Sequence, residues 1–196
     1  MIIGITGGSG CGKTTLLNII QEQGGLILDC DAIYHALLRS DDSLLAAIEC
    51  RFPGTVHAGV LDRKMLGNLV FSDKKALRDL NQITHSAVKA EVLRRLEEQP
   101  PLAAIDAIGL FEGGLAPLCD VTLAVTAPRK VRIARLMARD GISEDYAKKR
   151  IDAQHTDRWF RARCDYMLDN DADLDTFRTK CIAFLRQIGI MEPYFT

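Results

Sequence analysis

Short apolar runs and longer amphipathic stretches alternate along the first part of the chain. Residues 2–5 form an apolar, largely β-branched run, residues 14–23 repeat apolar positions at helical spacing, and residues 26–28 are apolar again. A short apolar run bounded by glycines predicts a buried strand, and steps of three and four predict an amphipathic helix. The first 31 residues therefore predict a strand–helix–strand unit with parallel strands.

The rest of the chain continues this pattern with two helical interruptions. Three amphipathic helices are predicted at 32–50, 62–71 and 73–98. Further strands are predicted at 102–111, 121–125 and 166–168, a charged helical segment at 129–163, and a last helix at 174–188. The pattern predicts an α/β fold with a five-stranded parallel sheet flanked by helices. This division gives a core of residues 1–31, 101–128 and 164–196, interrupted by a helical insertion at 32–100 and a second helical segment at 129–163.

A glycine-rich segment lies between the first strand and the first helix. It fits the pattern G-x-x-x-x-G-K-S/T from Gly7 to Thr14. Small residues let backbone N–H groups curl around phosphate oxygens, and the following helix directs its positive end at the same anion. Lys13 is expected to reach the β- and γ-phosphates, and Thr14 to ligate Mg²⁺. The expected ATP-binding residues are Gly8, Ser9, Gly10, Cys11, Gly12, Lys13, Thr14 and Thr15.

Three classes of phosphate-loop protein compete at this point: small-molecule kinases, GTPase switches and motor ATPases. A GTPase needs an Asn/Thr-Lys-x-Asp segment late in the chain, and the candidates at 126–129 and 170–173 lack the lysine. The chain is short for a motor ATPase. The sequence therefore favours a small-molecule kinase. Such an enzyme needs a residue that orients the hydroxyl group accepting the phosphoryl group, cations near the transferred phosphoryl group, and exclusion of water.

Acidic residues follow the predicted strands. Asp29 and Asp31 stand where the second strand ends, where ligands bind in open parallel sheets. One of them can orient the acceptor hydroxyl, with Asp31 favoured, although an Asp there can also cap the next helix. Asp106 and Glu112 lie in the third strand region. Glu112 is expected at the carboxyl end of that strand, so Asp29 or Glu112 could hold Mg²⁺ through water.

The segment 129–163 is basic, with 11 Lys and Arg residues against 5 Asp and Glu residues. The whole chain is nearly balanced, with 25 Lys and Arg residues against 26 Asp and Glu residues. Arg132, Arg135 and Arg139 fall on one helical face, and Gln154, Arg158 and Arg161 follow. Guanidinium groups bind phosphate in a bidentate way. We expect Arg135, Arg139 and Arg158 to contact phosphate from a mobile lid. The near-zero net charge argues against a nucleic-acid partner.

Composition restricts the cellular setting. The six cysteines form no C-x-x-C pair and no signal segment precedes residue 2, which predicts reduced thiols and a cytoplasmic protein. No apolar stretch reaches 18 residues, so no membrane span is expected. Cys11 stands at a helix N-terminus, where thiolate is favoured, and oxidative inhibition is a hypothesis.

The motifs, taken in order, resemble the dephospho-coenzyme A kinase family, which has a P-loop kinase fold similar to that of nucleoside monophosphate kinases. The start at 4–15 is similar to the family's G-L-T-G-G-I-G-S-G-K-S, and 29–31 to its D-A-D segment. The matching segments after these are 59–71 with G-x-L-D-R-x-x-L-x-x-x-V-F, 80–85 with L-x-x-I-x-H, 150–154 with R-x-x-x-Q, and Asp169-Asn170 with the late strand.

The resemblance implies phosphorylation of the ribose 3′-hydroxyl of dephospho-coenzyme A by ATP with Mg²⁺, the last step of coenzyme A synthesis. Asp31 matches the family's proposed base, and Lys13 and Arg139 are expected to stabilise the migrating phosphoryl group. The helical insertion at 32–100 is expected to bind the acceptor and the segment 129–163 to close as a lid. Thr6, Asp31, His85 and Glu112 are the expected acceptor-binding residues. Ser86, Ile108 and Gly113-Gly114 depart from the family pattern. A nucleoside or nucleotide kinase, and a nucleotide-sensing module without catalysis, stay open as alternatives. The sequence leaves the oligomeric state open.

Overall fold

A computed structural model describes residues 1–71 and 73–191 of the chain, with the side chain of Phe71 left out. Seven strands occur in these residues: β1 Ile2–Thr6, β2 Leu26–Asp29, β3 Val56–His57, β4 Val60–Leu61, β5 Ala103–Asp106, β6 Val121–Thr126 and β7 Tyr166–Asp169.

Nine α-helices and one short 3₁₀ helix, Ala116–Leu118, occur in the same described residues. The helices are α1 Lys13–Glu22, α2 Cys30–Ser40, α3 Asp42–Arg51, α4 Arg63–Phe71, α5 Lys74–Leu96, α6 Arg129–Asp140, α7 Glu144–Asp152, α8 Asp157–Arg161 and α9 Leu174–Gln187.

The main sheet has five parallel strands in the order β2-β5-β1-β6-β7, which confirms the predicted fold class. β1 is central because it pairs with β5 on one side, Gly4 opposite Ile105, and with β6 on the other, Gly4 opposite Thr122. Its side chains Ile3 and Ile5 are fully buried. The segment after β1 therefore starts at the middle of the sheet, at the side where the carboxyl ends of the parallel strands lie.

The chain divides into two compact units. Unit 1 comprises residues 1–27, 100–110 and 116–196, although 192–196 lie outside the described residues, and its core joins β1 to Leu16 and Ile20 of α1 and to Phe177 of α9. Unit 2 comprises residues 28–99 and 111–115. The predicted lid 129–163 clusters with unit 1.

Unit 2 has its own apolar core, built from helices α2 to α5. The single helix predicted over 32–50 is wrong, because Asp41 ends α2 and caps α3. Its carboxylate accepts hydrogen bonds from the backbone N–H groups of Ser43 at 2.9 Å and Leu44 at 3.1 Å. A side-chain cap of this type stabilises a new helix start.

A two-stranded hairpin of β3 and β4 was not predicted. Ala58 and Gly59 both have positive φ, 51° and 76°, and connect the strands as a two-residue turn. Turns of this class usually carry Asn-Gly or Asp-Gly. Ala58 gave no such signal, so the segment looked like a loop between helices.

The third strand of the sheet is shorter than predicted. β5 ends at Asp106, and the chain then turns through 108–114. The apolar residues Ala107 and Leu110 that suggested a longer strand are buried in this turn. Within the described residues, no helix is long and apolar enough to span a bilayer.

Candidate active site

The glycine-rich segment forms a concave loop between β1 and α1. Gly12 has φ 99° and ψ 25°, a left-handed conformation that L side chains rarely adopt, and a Cβ there would overlap the Asn170 amide. The start of α1 at Lys13 has no side-chain cap among the described residues. The first N–H groups of the helix therefore suit an anion, and the ATP contacts expected at this loop stay a prediction.

Lys13 folds back over this loop. Its Nζ donates a hydrogen bond to the Gly7 carbonyl at 3.0 Å and lies 3.9 Å from Oδ1 of Asp106. The lysine side chain is 13% exposed and the aspartate side chain 18%, so the pair is partly shielded from water. The loop therefore carries a cation of the kind that binds phosphate, next to a carboxylate.

Asp106, rather than Glu112, occupies the carboxyl end of the third sheet strand. The sequence assigned that position to Glu112 on the expectation that the strand reached residue 111, and this expectation is wrong because β5 ends at Asp106. Asp106 belongs to unit 1 with the loop, whereas Glu112 belongs to unit 2.

Arg132 and Gln154, two residues of the basic segment 129–163, form hydrogen bonds with the glycine-rich loop. Arg132 is 7% exposed, and its Nε donates to the Ser9 carbonyl at 3.0 Å. Gln154 accepts from the Ser9 backbone N–H at 3.0 Å and donates through Nε2 to Ser9 Oγ at 2.8 Å. Arg132 also donates to Gln154 at 2.8 Å. A Cβ on Gly8 would overlap the Arg132 guanidinium, so this close approach requires glycine.

Neither Arg132 nor Gln154 was among the predicted site residues. The signals were available, since Arg132 shares a helical face with Arg135 and Gln154 ends the R-x-x-x-Q signature. Helical periodicity selects a face of α6 but does not say which arginine on it becomes buried.

Arg135 and Asn170 hold the other side of the loop. Arg135 donates to the carbonyls of Gly10 at 3.3 Å and Cys11 at 3.4 Å, and to the Asn170 side chain at 3.3 Å. Asn170 is 3% exposed and donates to the Cys11 carbonyl at 2.8 Å. Arg135 thus lies at the loop as predicted, and Asn170 joins it as a residue absent from the predicted site.

The other two predicted lid arginines lie on the surface. The Arg139 side chain is 61% exposed and forms a bidentate pair with Asp140, at 2.6 Å and 3.0 Å. Asp140 also accepts from Arg150 at 2.8 Å. Arg158 is exposed on the short helix α8. In this structure the contacts to the loop backbone come from Arg132 and Arg135 instead.

The prediction that the Cys11 thiol favours its thiolate is contradicted. The side chain is 1% exposed, and burial raises the pKa of Cys11 above its ordinary value, although the nearby Lys13 charge acts in the opposite direction. Desolvation disfavours the charged form of a thiol. Cys11 therefore serves as a small core residue beneath the loop.

In unit 2, Asp29 and Asp31 lie at the start of α2 and have different surroundings. Asp29 is the N-cap residue, and its Oδ1 accepts from the Ala32 N–H at 2.9 Å. Asp31 is exposed in the first helical turn. The capping interpretation thus holds for Asp29, which leaves the carboxylate of Asp31 available for a ligand.

His85 and Glu112, predicted separately, share one cavity of unit 2. This cavity has a volume of about 440 Å³. Its lining residues are Arg78, Asn81, Gln82, His85, Ser86, Lys89, Glu112, Gly113 and Gly114. The structure therefore brings together two predicted acceptor contacts more than 20 residues apart in the sequence.

Thr6 does not fit the acceptor contact predicted for it. The residue is fully buried at the end of β1, and its hydroxyl donates to the Ile108 carbonyl at 3.1 Å. This hydrogen bond ties the turn after β5 to the central strand. The Thr6 side chain is therefore part of the core of unit 1.

The chain is similar to known proteins over nearly its whole length. The family model described as "CoaE: Dephospho-CoA kinase" matches residues 1–176. A dephospho-CoA kinase of Latilactobacillus sakei is 35% identical over 183 residues, which cover 91% of each chain.

Solved structures give the same picture of the fold. A crystal structure of a Thermus thermophilus protein is similar with a TM-score of 0.80 and 33% identity, covering 96% of this chain and 97% of that one. A dephospho-CoA kinase from Campylobacter jejuni has a TM-score of 0.67 and 26% identity, covering 95% and 96%.

Proposed function

The chain belongs to the dephospho-CoA kinase family, and from that membership we propose that it catalyses the last step of coenzyme A synthesis. In this reaction the γ-phosphoryl group of ATP passes to the ribose 3′-hydroxyl of dephospho-coenzyme A. The bond between the γ-phosphorus and its bridging oxygen breaks, a bond to the 3′-oxygen forms, and ADP leaves.

The observation that carries the proposal is the clamped phosphate loop. A helix N-terminus without a side-chain cap, the Lys13 ammonium group and a backbone fixed by Arg132 and Arg135 together suit a bound triphosphate. Phosphoryl transfer depends mainly on positioning and electrostatic stabilisation, which a pre-formed loop supplies. The ATP contacts would come from Gly8, Ser9, Gly10, Cys11, Gly12, Lys13, Thr14 and Thr15.

Asp31 is the proposed group for the acceptor hydroxyl. Its carboxylate accepts the 3′-hydroxyl proton or orients that hydroxyl for attack, as a catalytic-loop aspartate does in other phosphoryl transfers. Asp29 cannot share the role freely, because its carboxylate caps α2. His85 and Glu112 line the cavity of unit 2, and we assign them to acceptor binding.

Lys13 and Arg139 are proposed to stabilise charge on the migrating phosphoryl group, with Arg135 and Arg158 as further phosphate contacts. Lys13 lies in the loop already, whereas Arg139 must leave Asp140 to act. An ion pair at the protein surface contributes little stability, so little stability is lost in this exchange. Segment 129–163 would act as a lid that excludes water from the reaction.

Mg²⁺ is the cofactor that the fold family implies, and the residues of unit 1 fit it. Thr14 presents an exposed hydroxyl and Asp106 a carboxylate, and Mg²⁺ prefers such oxygen ligands. The described residues contain no cluster of three or more metal-ligating side chains, which agrees with an ion held largely by phosphates and water. When bound, Mg²⁺ would neutralise phosphate charge; Thr14 would ligate it, with Asp106 holding its water shell in place of the predicted Asp29 or Glu112.

The setting proposed for this activity is the cytoplasm. Within the described residues, no cysteine forms a disulfide, and this state suits a reducing compartment. ATP and dephospho-coenzyme A are the proposed partners.

A coupled ADP-release assay with a panel of acceptors tests the proposal. Dephospho-coenzyme A, AMP, CMP, uridine and shikimate are each supplied with ATP and Mg²⁺, and phosphorus NMR locates the new phosphate at the 3′ position. Turnover with dephospho-coenzyme A alone is expected, and Lys13→Met should abolish it. Turnover with AMP, CMP or uridine only would indicate a nucleoside or nucleotide kinase, turnover with shikimate only would contradict both, and none with any acceptor would indicate a nucleotide-sensing module.

A further inference from the structure

The cavity of unit 2 contains a row of basic side chains on one face of α5. Arg78, His85 and Lys89 are separated by seven and four residues, so they fall within about 40° of one another around the helix axis. The row is about 16 Å long at the backbone. The sequence assigned only His85 from this row to the site.

Within the part of the chain that the structure describes, the two outer cations of the row form no ion pair. The structure records no ion pair for Arg78 or Lys89 among the described residues, whereas the acidic residues of α5 are engaged elsewhere. Asp79 pairs with Arg51 at 2.7 Å, and Glu91 pairs with two arginines nearer the end of the helix. The opposite wall of the cavity supplies one carboxylate, that of Glu112. The cavity therefore has an excess of positive charge.

Lys89 extends toward the turn that forms this opposite wall. A Cβ built on Gly114 would lie 3.5 Å from Lys89 Nζ, so the ammonium group approaches the turn at a residue that has no side chain. Gly114 has a positive φ of 63°. Gly113 and Gly114 depart from the pattern of the family, as does Ser86 in the same lining. These small residues leave the cations accessible from the cavity.

We propose that Arg78 and Lys89 bind the diphosphate of the acceptor, with His85 between them. This inference rests on the proposed function. Dephospho-coenzyme A carries a diphosphate between its adenosine and its pantetheine, and the triphosphate of ATP is assigned to the loop of unit 1. The diphosphate of the acceptor is then the remaining anion of the reaction. The side chains of Lys89 and Arg78 are long enough for both cations to reach one diphosphate beside His85.

Steady-state kinetics of Arg78→Gln, Lys89→Gln and the double variant test the assignment. Each lost contact should raise KM for dephospho-coenzyme A about tenfold, with kcat within about twofold and KM for ATP unchanged. Raising the salt concentration should weaken acceptor binding less in the double variant than in the wild type. Lys89→Arg keeps the charge and should restore most of the affinity.

Lys75→Gln is the matched control, because Lys75 lies on α5 outside the cavity and loses the same charge. An unchanged KM for dephospho-coenzyme A in the double variant would overturn the proposal. A rise in KM for ATP instead, or a lower melting temperature without rescue by Lys89→Arg, would also overturn it. Wild-type enzyme that fails to phosphorylate dephospho-coenzyme A would refute the proposed function itself, and this inference with it.

Discussion

Arg132 and Gln154 meet at 2.8 Å, and both hold Ser9 of the phosphate loop. Gln154 is the only described residue that bonds both the backbone N–H and the side chain of Ser9. The buried guanidinium of Arg132 needs the amide oxygen of Gln154, because an unsatisfied buried donor is costly. The shape of the ATP site therefore depends on contacts to the loop from Arg132 of α6 and from Gln154, which follows α7.

Gln154→Ala should loosen the loop. We expect the free energy of unfolding to fall by about 1–3 kcal/mol, because Arg132 and Ser9 lose partners together, and KM for ATP to rise at least fivefold. Urea unfolding and ATP titration measure the two effects. Arg129→Gln removes an exposed ion pair between Arg129 of α6 and Asp152 of α7 in the same basic segment, and should change neither quantity by much. An ATP affinity equal to wild type in Gln154→Ala would show that the clamp does not shape the site.

Asp29 and Asp31 should respond oppositely to substitution. Asp29→Ala removes the cap of α2 and should lower stability by about 0.5–2 kcal/mol while kcat stays close to wild type. Asp31→Asn leaves the cap intact and should reduce kcat at least a hundredfold with ATP binding nearly unchanged. Thermal unfolding and initial rates separate the two variants. Wild-type kcat in Asp31→Asn would refute its role as base.

Cys11 should resist alkylation, whereas Cys50 should react. Burial raises the pKa of Cys11 above its ordinary value, so its thiol stays protonated at pH 8, and the side chain is also inaccessible. Cys50 is exposed and provides the matched comparison within one chain. Brief iodoacetamide treatment followed by peptide mass spectrometry measures both sites. Modification of Cys11 at the rate of Cys50 in folded protein would contradict the structure.

Asp165 should make stability depend on pH. Hydrogen bonds from the Thr122 hydroxyl and backbone N–H hold the pKa of this carboxyl below its ordinary value. Its contribution is therefore present above about pH 4 and lost as the pH falls through the lowered value. Allowing for its exposure, Asp165→Asn should cost about 0.5–1 kcal/mol at pH 7, or about 1–4 °C in melting temperature.

Melting curves from pH 7 to pH 2.5 check this prediction. The difference between wild type and Asp165→Asn should shrink as the medium becomes more acidic, because protonated Asp165 also loses the charge. Asp145→Asn, with a side chain 88% exposed, is the control and should show a difference near zero throughout. A gap that widens toward low pH would reverse the sign expected here.

Features with a local cause could be predicted from the sequence. The phosphate loop follows from Gly7, Gly12, Lys13 and the strand and helix that flank them, and the sheet strands follow from short apolar runs. The break at Asp41 was missed although Asp is a strong cap, because amphipathic spacing continues across it. Periodicity cannot separate one long helix from two that share an apolar face.

Features with a tertiary cause were harder to predict. The sequence does not tell whether Asp106 or Glu112 ends the strand, because apolar residues continue from one to the other. The end of β5 depends on how the turn after it packs. Arg132 and Arg139 share one face of α6, and helical spacing does not predict that Arg132 is buried whereas Arg139 pairs with Asp140. The raised pKa of Cys11 depends on packing from residues far along the chain, and this outweighs the local effect of the helix N-terminus.

The central position of β1 has a consequence for the order in which the protein can form. In the main sheet β1 lies between β5 and β6, which are synthesised about a hundred residues later. The loop after it is completed by Arg132, Gln154 and Asn170, from still later in the chain. Contacts so distant in sequence form slowly. The nucleotide site of a nascent chain is therefore completed only after residue 170 has been synthesised, and a fragment ending before this residue lacks the Asn170 contact to the phosphate loop.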